Sequence, residues 1–141
     1  MYKILALYFL RGLFRNQGFL PTQNRHPGFF PPGITCTWKI TAPKGQHIRL
    51  QITPLTMPIS CETASIFVHE GSDVTGKLVK RICSSLDPPV LFSTGSQFWV
   101  QFRVAPGSKQ YYRGFNATYE IIRSSKLATI LLHNSLLSLL Y

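Results

Sequence analysis

Short runs that alternate strictly between apolar and polar residues, each cut off by proline or glycine, constrain this chain more than any other feature. In Cys36-Thr37-Trp38-Lys39-Ile40-Thr41 one set is Cys, Trp and Ile, and the other is Thr, Lys and Thr. Pro43-Lys44-Gly45 turns the chain, and in His47-Ile48-Arg49-Leu50-Gln51-Ile52 the apolar set is Ile48, Leu50 and Ile52. Pro54 and Pro58 are expected to end that strand, because proline has no N–H for a sheet ladder. Further strands are predicted at Ser65 to His69, Leu78 to Cys83, Gln97 to Arg103 and Gly114 to Ile121, separated by Glu70-Gly71-Ser72-Asp73, Asp87-Pro88-Pro89 and Pro106-Gly107. Period two arises when a pleated strand keeps one face on a core and the other in water. Short strands in this succession predict an all-β fold, an antiparallel two-sheet sandwich. No ten-residue stretch of the body carries a helical apolar stripe, which argues against an α/β nucleotide-binding architecture.

With 141 residues the chain has the size of one domain. Three zones differ in character: a leader of residues 1–22, a strand-and-turn body of residues 23–123 and a leucine-rich tail of residues 124–141. The leader opens Met1-Tyr2-Lys3 and runs through apolar residues from Ile4 to Leu10 before Arg11, the order of a signal peptide, but without a good cleavage site. It reads either as a weak signal peptide or as an N-terminal extension. From Leu127 to Tyr141 a helix would reach only about 22 Å, short of a hydrocarbon core of about 30 Å, and His133 and Asn134 interrupt it. Membrane spanning is therefore not expected. Ser124, Ser125 and Lys126 also make a poor spacer for a glycolipid-anchor signal.

Lys and Arg number 15 against 5 Asp and Glu, a formal net charge of +10 that suits acidic partners without naming one. No helix suits the major groove, and Phe67, Trp99, Tyr111 and Tyr112 form no base-stacking motif, so nucleic acid is not an expected partner. The three Cys and four His lack zinc spacing, no Gly-rich phosphate loop is present, and the five acids are scattered. An enzyme is not expected, nor a cofactor.

Six segments in order resemble those of a CUB domain, an extracellular β-sandwich module. They are His26-Pro27-Gly28-Phe29-Phe30-Pro31-Pro32-Gly33, the Cys36-Thr37-Trp38 strand, Ala42-Pro43-Lys44-Gly45, Ile48-Arg49-Leu50, the Cys61 to Cys83 region around Val68-His69-Glu70-Gly71, and Gly114-Phe115-Asn116-Ala117-Thr118-Tyr119. The resemblance implies a jelly-roll-like sandwich and two bridges, first Cys with second and third with fourth. Cys61 and Cys83 match the third and fourth and are expected to pair, and Cys36 matches the second. The first, due near Leu10, is missing, so Cys36 is a thiol outside any bridge. It would either pair between molecules or lie buried behind Trp38, the favoured alternative.

The missing cysteine points to a truncated or spliced product of a larger extracellular receptor or membrane protease, with Met1 to Thr22 replacing the first strand. Losing an edge strand would expose backbone groups and invite association, through that edge or through Cys36.

Many CUB domains bind calcium through a Glu before the third Cys and two Asp. In this chain residues 54–60 contain no acid, and the two Asp slots hold Ala64 and Ala105. Hard cations need clustered oxygens, so no metal site is expected. Two candidate surfaces remain. Lys77, Lys80 and Arg81 cluster beside Cys83, while Lys39, His47 and Arg49 are expected to point outward on neighbouring strands. These are either a solvated sheet face or a site for an acidic glycan or protein. Trp99 is turned outward with Gln101 and Arg103, either as a contact residue or beneath an adjoining loop. Asn116-Ala117-Thr118 is a glycosylation sequon whose Asn should point outward if the chain is secreted. The expectation is a secreted or extracellular, non-catalytic, calcium-independent module that binds protein or acidic glycan; the alternative is a structural fragment without binding activity of its own.

Overall fold

The computed structural model describes residues 3–4, 17–20, 32–56, 61–83, 89–108 and 114–139. Its strands are β1 (Lys3–Ile4), β2 (Gln17–Leu20), β3 (Thr35–Thr41), β4 (Gln46–Thr56), β5 (Ala64–Glu70), β6 (Leu78–Ile82), β7 (Val90–Phe92), β8 (Gln97–Val104) and β9 (Gly114–Arg123), followed by helix α1 (Ser124–Leu139). They form a five-stranded sheet in the order β1-β3-β8-β5-β6 and a four-stranded sheet in the order β2-β9-β4-β7. Every strand pair is antiparallel except β1 with β3. The fold is the all-β two-sheet sandwich that the alternation predicts.

The apolar sets read from the sequence meet between the sheets. Trp38 and Ile40 of β3, Ile66 and Val68 of β5, and Phe98, Val100 and Phe102 of β8 line one inner face, and all are buried. Ile48, Leu50 and Ile52 of β4 and Phe115, Ala117 and Tyr119 of β9 line the other. The Phe115 ring stands edge-on to both Trp38 and Phe102, at centroid separations of 5.3 and 5.8 Å. Such contacts add about 0.5–1.5 kcal/mol each beyond the burial of the rings.

Three readings change. Strand β4 does not end at Pro54: it runs to Thr56, with a register shift between Pro54 and Thr56. The backbone N–H groups of Ile48 and Ile52 point away from β9, toward Ser93 and Pro89. Pro54 lies in phase with them, so its missing N–H falls on the β7 side, beyond the last β7 pair at Gln51, and costs no ladder bond to β9. Second, the segment expected as an extension or signal supplies β1, beside Thr35 and Cys36, and β2, beside residues 117–120 of β9. Strand pairing thus covers Thr35 and Cys36 at the edge of β3 and residues 117–120 at the edge of β9. Third, the basic trio expected on neighbouring strands is divided: Lys39 lies on β3 and His47 and Arg49 on β4, in different sheets.

Helix α1 follows β9 without a loop. Ile122 is 1% exposed yet, one residue out of phase with Tyr119, lies on the outer side of its sheet where α1 begins. His47 fixes that junction: Nδ1 donates to the Ser93 carbonyl and Nε2 shares a hydrogen bond with Ser124 Oγ, both at 3.1 Å. Beyond this docked first turn no residue of α1 is buried. No helix among the described residues is long and apolar enough to cross a membrane.

Candidate binding groove

The outer face of the five-stranded sheet is where the alternation places polar residues in registered rows. One row runs Thr35, Arg103, Ser65 across β3, β8 and β5; the next runs Thr37, Gln101, Phe67, Arg81 and reaches β6. At this end of the sheet a groove of about 610 Å³ opens. Its polar lining comes from Ser65, Arg81, Arg103 and Glu62, and its apolar lining from Phe67, Val104, Ala105 and Pro106 among others.

Arg81 is held in place by its surroundings. Its guanidinium stacks over Phe67 at 5.3 Å from the ring centroid, Nε donates to Ser65 Oγ at 3.3 Å, and one terminal nitrogen donates to the Cys61 carbonyl at 2.8 Å. Ser65 is 2% exposed and donates its own hydroxyl to the same carbonyl. Cys61 is bridged to Cys83, with 4.9 Å between the Cα atoms. The disulfide therefore anchors a carbonyl that positions a guanidinium. Arg103 is Ser65's Cα partner on β8, so the two arginines stand on either side of the strand that carries Ser65. Arg103 is exposed and forms no hydrogen bond or ion pair among the described residues.

The candidate surface residues separate. Arg81 and Arg103 share the groove. Lys80 is paired with the inward-facing Val68 and so leaves β6 on the opposite side from Arg81, while Lys77 precedes β6 in the hairpin. Trp99 lies four positions along β8 from Arg103, about 13 Å away, half-buried, with its ring edge-on to His69 at 5.6 Å. Its cover is thus a side chain of the adjacent strand. Tyr111 and Tyr112 lie outside the described residues. Cys36 is buried on the inner face of β3, and Asn116 is exposed on β9, in the other sheet. Ser65 and Phe67 were missed as site residues; their signal was a small hydroxyl and an aromatic at two successive polar-face positions of β5.

The two alanines that the resemblance aligns with calcium ligands both fall here. Ala64 and Ala105 both line the groove, next to a backbone hydrogen bond of 2.8 Å from Ala105 to the Thr63 carbonyl. Among the described residues no three His, Cys, Asp or Glu side chains come together. The donor set of the described residues does not fit a hard cation, which needs about six or more oxygen ligands.

Comparison with known proteins agrees with this architecture. Pig cubilin is 26% identical over 117 residues, which cover 81% of this chain and 3% of cubilin. The solved CUB1-EGF-CUB2 region of human MASP-1/3 superposes with a TM-score of 0.67 at 21% identity, covering 82% of this chain and 45% of that one. The MASP-1 CUB2 domain solved with calcium superposes with a TM-score of 0.59 at 19% identity, over 75% of this chain and 93% of that one. The chain thus spans only a small part of a relative such as cubilin. A family model for the CUB domain matches residues 13–119, and the chain belongs to that family, whose members are extracellular binding modules.

Proposed function

We propose that this chain is a non-catalytic, extracellular module that binds a partner without calcium, through the groove between β6 and β8. One observation carries the reading: two arginines, one of them locked by Phe67, Ser65 and the Cys61 carbonyl, line the cavity in which Ala64 and Ala105 stand in the family's calcium-ligand slots. Secretion with a glycan on Asn116 fits the same picture, because Asn116 is exposed on the sheet opposite the groove and a glycan there leaves it open.

Calorimetry with calcium provides the test, on chain secreted from cells and checked by mass spectrometry for the Cys61–Cys83 bridge and for Asn116 occupancy. The expected result is no stoichiometric uptake. Tight one-to-one calcium binding would overturn the reading, and aggregation with rapid proteolysis of the secreted chain would favour the fragment without binding activity.

A further inference from the structure

Resting on that reading, we infer that the groove takes an acidic peptide, a carboxylate side chain flanked by apolar residues, clamped between Arg81 and Arg103. A guanidinium has five N–H donors in a planar fork matched to a carboxylate. In Arg81 the bonds to Ser65 Oγ and the Cys61 carbonyl use two of them and set the orientation of the fork, with the Phe67 ring beneath the cation. Three donors remain on a group whose orientation is already set, so little rotamer freedom is lost when an anion binds. Arg103 adds a second fork from the far side of Ser65.

The walls choose among anions. Phe67, Ala105 and Pro106 present apolar surface beside the charges, which a sulfated sugar cannot use and a Leu or Phe next to an Asp or Glu can. The lysines that would extend a polyanion track, Lys77 and Lys80, lie outside the groove.

Selection of random dodecapeptides on the intact secreted chain, run in parallel in EDTA and in excess calcium, tests this. Expected is enrichment of peptides with an Asp or Glu beside an apolar residue, equal in both buffers. Their binding should weaken about tenfold or more in Arg103→Gln and on replacing the acid by its amide. Arg103→Gln alters an exposed strand residue and should unfold at the wild-type temperature. Arg81→Lys, which keeps the charge but not the fork, should weaken binding too. No enrichment, enrichment without acids, or binding indifferent to Arg103→Gln would overturn the inference. So would Arg103-dependent capture of a heparin oligosaccharide without any peptide, which assigns the groove to a glycan. Peptides bound only with calcium would instead overturn the calcium-independent reading beneath it.

Discussion

At one end of the five-stranded sheet, His69 and Trp99 on its outer face and Glu70 at the end of β5 hold a hairpin; at the other end, Ser65, Phe67, Arg81 and Arg103 on the outer face hold a groove. Both ends use polar and aromatic side chains on the same strands. At the hairpin end these groups find partners inside the fold. His69 Nδ1 donates to the Gly76 carbonyl at 2.9 Å, Trp99 stands edge-on to His69, and the Glu70 carboxylate accepts from the N–H groups of Thr94 and Gly95 at 2.7 and 3.4 Å. At the groove end, among the described residues, the guanidinium donors of Arg81 and Arg103 outnumber the acceptors bonded to them. The difference teaches where to look for binding: a surface rich in polar residues is stability when its donors and acceptors match, and a site when one kind is in excess.

The largest effect should come from the disulfide beneath the groove. The Cys61→Ala/Cys83→Ala double variant should lose about 3 kcal/mol in urea unfolding, from the entropy of a loop of 22 residues. Its Arg81, deprived of a fixed Cys61 carbonyl, should also lose its orientation. A loss near zero would mean that the strands alone hold the groove end, and would break the contrast.

At the hairpin end the largest effect should come from Gly76. A Cβ there would collide with the backbone carbonyl of Glu70, which cannot move without displacing the β5–β6 turn. Gly76→Ala should cost about 2 kcal/mol by thermal unfolding. The folded variant should keep the wild-type affinity for any groove ligand, because the collision lies at the other end of β5. Affinity falling with stability would show the two ends to be one unit.

Within the groove the two arginines should separate. Arg81→Ala removes a ring contact and two hydrogen bonds and should cost about 1–2 kcal/mol, measured by urea unfolding. Arg103→Ala should stay within about 0.5 kcal/mol of the wild type, as expected of an exposed residue with no such contacts. Equal losses would mean that Arg103 is structural, and would remove the excess of donors on which the comparison rests.

Which of these residues the sequence could reveal follows from which of them depend on strand order. Inward and outward faces of β3, β5, β8 and β9 are properties of one strand each, so Trp38, Ile66, Phe102 and Phe115 could be placed by alternation alone. The meeting of Arg81 with Arg103 depends on β5 lying between β6 and β8, in a register that puts Ser65 beside Arg103. Ser65 and Arg103 lie 38 positions apart in the chain, and nothing between them announces that order. Proximity in sequence misled in the opposite direction, grouping Lys80 with Arg81 although adjacent strand residues point to opposite faces. Lys39 was grouped with His47 and Arg49 because the turn at Pro43-Lys44-Gly45 looks like a hairpin, whereas the chain there crosses from one sheet to the other. Strand β7 has only Val90, Leu91 and Phe92, too few to show a period, and β1 and β2 lie in an apolar leader with no alternation.

The smallest effect tests whether the hairpin end is purely internal. In its turn the Asp73 carboxylate accepts from the Thr75 hydroxyl and from the Thr75 N–H at 2.8 Å, and these bonds, with a smaller contribution from the charge of Lys39, hold its pKa below the ordinary aspartate value. A depressed folded pKa stabilises the native state above the ordinary value, and that stabilisation fades as pH falls toward and through the folded value. Wild type should therefore melt slightly higher than Asp73→Asn at neutral pH, and the gap should close under acid conditions. A gap that stays constant with pH would place the carboxylate's role outside its ionised hydrogen bonds. Because Asp73 is fully exposed, the gap should also be small beside that of Gly76→Ala, where the backbone itself must shift.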